Sequence, residues 1–233
     1  MELNPFGAVA GYPRMLNKIG IWTFIVCLGA TWLLRKQSAP LDNALANFDL
    51  PVTIQGVPIA IGYLIPALAI ALPFRIFKMH DLISDAFGIR SNFDIREILI
   101  PMAGEAGVAV PFGKLKRIAE QRDDLMIDVF YRYASGTKGK AVIDEQMITM
   151  ALDQWSWFWM LLETAAITLL CALALILFGK GGPAACLFMI FIILLLLMRL
   201  ILPLCANYAH REVKAIVEDG GRRSHVRQVL SAL

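Results

Sequence analysis

Glu163 and Arg199 are the two charges that stand inside otherwise apolar runs of this chain, apart from Arg75 at the end of another run. A charge at the centre of a bilayer costs at least about 2.5 kcal/mol, so such residues mark ion pathways or pairs that fix helix register. Glu163 and Arg199 each lie 18 positions from Gly181, the centre of a tight turn. At about 1.5 Å per residue both are about 27 Å from that turn, at equal depth. Equal depth predicts an ion pair across the hairpin or between subunits, acting either as a staple or as part of a pore lining.

The second stretch with chemical character is 103–122, AGEAGVAVPFGKLKRIAEQR. Lys114, Lys116 and Arg117 fall in the first two turns of a helix expected to start at Pro111. Free N–H groups at a helix start, with cations beside them, suit a phosphate or a nucleic-acid backbone. Lys114 and Arg117 share a face, Lys116 points towards Glu120, Arg122 follows, and Arg90 and Arg96 are second choices. The plainer reading is a juxtamembrane basic patch on anionic lipid heads. The spacing G-x-x-x-x-G-K-[ST] is absent, so a P-loop is not supported. Glu120, Asp124 and Asp128 share a helix face with no histidine near them, which reads as a solvated acidic face able to pair with another subunit's basic cluster, not as a metal site. His80-Asp81 stands alone, and His210 and His225 lie in a basic tail. With no H-E-x-x-H, no G-x-S-x-G and no nucleophile beside a base, the chain argues against an enzyme; no catalytic residue, metal or cofactor is expected.

The elements that must position these residues are membrane helices. Hydrophobic residues make up 58% of the 233 positions and charged ones 18%, too apolar for an ordinary soluble domain. Four windows, 19–34, 59–77, 157–178 and 184–204, approach the roughly 20 apolar residues a span requires. The predicted fold is an all-α membrane protein: an N-terminal transmembrane hairpin (1–77), a cytoplasmic helical control region (78–156), a C-terminal hairpin (157–206) and a basic tail (207–233). Lys and Arg cluster in the tails and the centre, which by the positive-inside rule puts both termini and the control region in the cytoplasm of a multi-pass protein of the bacterial inner membrane. Residues up to 17 read as an irregular lead-in, 35–58 as an exposed loop with local helix near 41–48, 111–134 as one continuous helix, and Gly136-Thr137-Lys138-Gly139 as a turn. Trp22, Trp32 and the group Trp155, Trp157 and Trp159 read as interfacial anchors. Cys27, Cys171, Cys186 and Cys205 read as apolar-phase residues, not a disulfide set.

The string HDLISDAFGIRSNFDIREILIPMAGEAG (80–107) resembles small bacterial four-span proteins regarded as pore-forming effectors of anti-phage defence, in particular the channel component of Hailong-type systems. The resemblance implies a homo-oligomeric, tetrameric ion channel held shut by an oligodeoxyadenylate or related short single-stranded DNA. It also implies a nucleotidyltransferase encoded nearby to make that ligand. The expected function is therefore an oligomeric membrane channel controlled by an anionic nucleotide on the cytoplasmic helices, which depolarises the cell when released. The alternative is a non-conducting membrane scaffold of a secretion or conjugation assembly.

Overall fold

The computed structural model describes residues 11–54, 56–134 and 142–233. The turn at 136–139 and the first ten residues of the expected lead-in lie outside the described residues; the rest of that lead-in, from Tyr12 to Asn17, is not irregular but the first turns of a helix. The chain divides into two compact units, one built from 12–82 and 156–201, the other from 83–155 and 202–233. Each is helical, and the first also carries a short β-hairpin.

In the first unit, helix α1 (Tyr12–Gln37) places Met15, Ile19, Thr23, Cys27, Thr31 and Arg35 in one buried stripe. Positions four apart are neighbours on a helix surface but drift by about 40° per step, so the stripe winds around α1, which packs along helix α3 (Ile61–Ile76). Between them, Ser38 caps the short helix α2 (Ala39–Ala46) by accepting from the Leu41 amide. Strands β1 (Pro51–Ile54) and β2 (Val57–Ala60) then pair antiparallel, with Pro51 opposite Ala60 and Ile54 opposite Val57. Gly56 turns the hairpin at φ +82°, a conformation that glycine adopts without a Cβ penalty. The exposed loop expected over 35–58 thus holds local helix as anticipated, plus a hairpin that was not.

The second expected span is shorter than the sequence suggests. Its first two residues belong to β2, and α3, with Pro66 and Pro73 inside it, has 16 residues. At about 1.5 Å each this gives about 24 Å, short of a hydrocarbon core of about 30 Å. Lys78, at φ +47°, then turns the chain by 62° into helix α4 (Met79–Ala86). Among the described residues, three helices are long and apolar enough to cross a membrane: α1, α10 (Glu145–Leu177) and α11 (Gly181–Val217). A fourth span exists only if the bent α3–α4 pair counts as one. One core cluster of the unit joins Cys27, Ala67, Ala71, Phe74 and Ile167 from α1, α3 and α10. α10 ends in a Schellman turn, in which Lys180 N–H donates to Leu175 and Gly179 N–H to Ile176.

In the second unit, the chain runs through helix α5 (Ile89–Phe93), a π-helical turn (Asp94–Leu99) and helix α6 (Ile100–Glu105). Pro101 has no N–H to offer the preceding turn, and the wider π turn leads into it. A second Schellman turn at Gly107 closes α6. The continuous helix expected over 111–134 is instead four pieces: α7 (Phe112–Glu120), α8 (Arg122–Leu125), a π turn (Met126–Tyr131) and α9 (Arg132–Ala134). The break falls at Gln121, next to Arg122, whose side chain turns to Asp94. Helix α12 (Gly220–Ser231) is capped by Asp219, and Arg222 and Arg223 donate to the last carbonyls of α11, at Ala215, Ile216 and Val217. The glycine pair Gly220-Gly221 therefore starts a helix.

Candidate functional site

The buried stripe of α1 brings Thr23 against Glu163 of α10, and α4 brings His80 to the same carboxylate. Thr23 Oγ1 donates to Glu163 Oε2. His80 Nδ1 lies 3.0 Å from Glu163 Oε1. Thr23, His80 and Glu163 are respectively 1%, 4% and 2% exposed, so the carboxylate is sealed from solvent and its contacts must come from protein. At the adjoining positions, Trp22 Nε1 donates to Thr164 Oγ1 at 2.9 Å, and that hydroxyl donates to the Met160 carbonyl at 2.7 Å. The Trp22 and Trp159 rings turn inward: Trp22 bonds to α10, and Trp159 is buried 5.6 Å from the His80 ring.

The far nitrogen of His80 is the informative atom. Nε2 is buried with no hydrogen-bond partner among the described residues, and Asp81 Oδ1 is 3.8 Å away. An orphaned buried polar atom costs about 1–3 kcal/mol, so it asks for a proton acceptor, a proton or a water. The Asp81 side chain is 25% exposed. A row of acid, imidazole and acid therefore runs from a partly exposed carboxylate to a sealed one. Neutral imidazole carries a proton on one nitrogen and accepts on the other, which makes it the side chain best suited to pass a proton through such a row.

Arg199, placed with Glu163 by depth alone, is exposed, and within the chain Glu163 bonds to Thr23 and His80 instead. Equal depth fixed the level but not the rotation: α11 turns Arg199 outward. Sequence reasoning passed over His80 as an isolated residue and did not single out Thr23. The available signal for Thr23 was its place in the four-residue stripe of α1.

The six expected phosphate ligands do not converge. Lys114 Nζ donates to the Leu230 carbonyl at 3.0 Å, and Arg117 donates to the Leu233 carbonyl, so both hold the end of α12. Cations at a helix C-terminus are favoured by its dipole. Lys116 is 77% exposed at its side chain and 3.9 Å from Glu120. Arg122 meets buried Asp94 at 3.0 Å, and Arg90 lies 4.0 Å from the same carboxylate and 3.3 Å from the Tyr131 hydroxyl. Burial pushes the Asp94 carboxyl up to about 6, against the pull of Arg90 and Arg122. Arg96 is exposed. Among the described residues no three His, Cys, Asp or Glu side chains are grouped to hold a metal. All four cysteines are free thiols, three of them buried.

A family model, the YmfE protein family, matches residues 11–231, nearly the whole chain, and the chain belongs to that family. No curated protein and no solved structure matches it. The family match carries no link to the anti-phage channel proteins that 80–107 resembles.

Proposed function

We propose that this YmfE-family chain is a multi-pass membrane protein that conducts protons, with Asp81, His80 and Glu163 as the relay. The observation that carries the reading is a carboxylate 2% exposed on an apolar helix, bonded to a histidine whose other nitrogen is orphaned. Carboxylate–histidine rows inside membrane helices are the usual material of proton pathways, because an ionisable group there is costly to keep without a use. Asp81 would exchange protons with one aqueous side, and His80 would take one at Nε2 and release one from Nδ1 to Glu163. Glu163 would give it to water admitted from the other side when α1 and α10 part at Thr23, the imidazole then turning over to return its proton to Nδ1. Thr23 holds the second carboxylate oxygen and so fixes the orientation of the acceptor. A relay of this kind needs no wide aqueous pore, and so is compatible with few spans per subunit. Reconstitution into liposomes with a pH dye inside tests it directly: wild type should dissipate an imposed pH gradient, and His80→Phe should not.

A second reading, a homo-oligomeric channel or pore gated by an anionic nucleotide, rests on a different observation. Lys114 and Arg117 grip the end of α12. An oligonucleotide that competes for those cations would release that helix. The anti-phage setting belongs to this reading. Its test is fluorescence anisotropy of a labelled oligodeoxyadenylate on the purified protein, with binding lost in Lys114→Glu/Arg117→Glu.

A further inference from the structure

We propose that the polar cleft at the end of α1 binds a phosphate-bearing group, independently of the relay. The cleft has a volume of about 500 Å³ and is floored by Arg35 and Tyr63. Arg35 is fully occupied: Nε donates to Asp42 at 2.8 Å, and Nη1 and Nη2 clasp the two oxygens of Asp49 at 2.8 and 2.7 Å. Its guanidinium also lies over the Tyr63 ring, 4.2 Å from the centroid. Gly62 packs beneath this triad, where a Cβ would fall 2.8 Å from Arg35 Nη1 and 2.9 Å from the Leu45 carbonyl oxygen. The floor is therefore a fixed, preorganised wall. The Arg35 hydrogen bonds hold the Asp49 carboxyl below the usual range.

The rim differs from the floor. Lys36 and Lys180 both line the cleft and both are exposed. Among the described residues neither has a carboxylate partner, because the two acids in the cleft are committed to Arg35. Two ammonium groups on one rim, with no internal acceptor, fit a phosphate, whose oxygens accept from both. Lys180 also precedes the first residue of α11, a 37-residue helix whose positive end lies at the same turn. Lys36 closes the apolar run of α1 and Lys180 joins those of α10 and α11, so the cleft sits at the level of a lipid phosphate. A lipid headgroup and a soluble phosphate ester share this chemistry.

Native mass spectrometry of the purified full chain with phosphatidylglycerol, with soluble glycerol phosphate as competitor, decides it. Lys36→Gln/Lys180→Gln should bind phosphatidylglycerol about tenfold more weakly, from two exposed charge contacts. Lys214→Gln, an exposed lysine elsewhere on α11, should leave binding unchanged. Displacement of the lipid by millimolar glycerol phosphate would mark a site for soluble phosphate esters, and its failure a site for the lipid. Wild-type binding of both probes by the double variant, or an equal loss in Lys214→Gln, would overturn the proposal.

Discussion

Replacing Glu163 by leucine removes the one acceptor shared by two buried donors. Thr23 Oγ1 and His80 Nδ1 both bond to that carboxylate, and all three residues are at most 4% exposed. Leaving a buried polar group unsatisfied costs about 1–3 kcal/mol, so the variant should lose about 2–6 kcal/mol. Replacing all three partners together, as Thr23→Val/His80→Phe/Glu163→Leu, leaves no orphan and should recover most of that loss, since apolar groups of similar shape are nearly neutral. The assay is thermal unfolding in detergent followed by circular dichroism, for the single and triple variants. A glutamine at 163 separates stability from chemistry. Its carbonyl still accepts from one donor, so unfolding should move by less than in the leucine variant while proton passage is lost. A Glu163→Leu variant as stable as wild type, or a triple variant less stable than it, would refute the idea that these three residues form one bonded unit.

Further outcomes follow from other parts of the molecule. Asp94 is buried and its folded carboxyl is raised to about 6 from 3.8, so it holds its proton to higher pH when folded. Its contribution is thus full below about pH 4 and is lost as pH rises through about 6, a span worth on the order of 3 kcal/mol. Unfolding midpoints should fall between pH 4 and 7, and that slope should flatten in Asp94→Asn. Gly62→Ala forces a Cβ into the Arg35–Asp49 clasp and should cost about 1–3 kcal/mol, read as a drop in thermal midpoint. Lys114→Ala/Arg117→Ala frees the end of α12, and hydrogen exchange should show faster exchange across 220–231 with α1 unchanged.

Much of the helical layout was legible because apolar runs and capping residues act locally. The run at 184–204 lies inside α11 and that at 157–178 inside α10 but for its last residue, and Gly88, at φ +62°, follows the end of α4. The hairpin at 51–60 was hidden because three prolines in the loop read as breakers. Pro51 and Pro58 sit in a two-stranded hairpin, where a missing N–H can face away from the pairing. The length of the second span was misjudged for a related reason. Hydropathy counts residues, whereas the backbone turn at Lys78 decides where the helix ends. The site was half legible. Glu163 declared itself by being charged in an apolar run, but its partners come from α1 and α4, more than 80 positions away, and no local pattern encodes that pairing. The basic cluster misled in the opposite direction. Lysines and arginines close in sequence look like one patch, yet the fold sends Lys114 and Arg117 to α12 and Arg90 and Arg122 to Asp94.

The most direct test of the central claim is proton flux in liposomes holding matched amounts of inserted wild-type and Glu163→Gln protein, with an internal pH dye and a potassium–valinomycin clamp. The relay predicts that wild type collapses the gradient and that Glu163→Gln tracks empty liposomes. Equal flux through both proteins, or none through correctly inserted wild type, would contradict it.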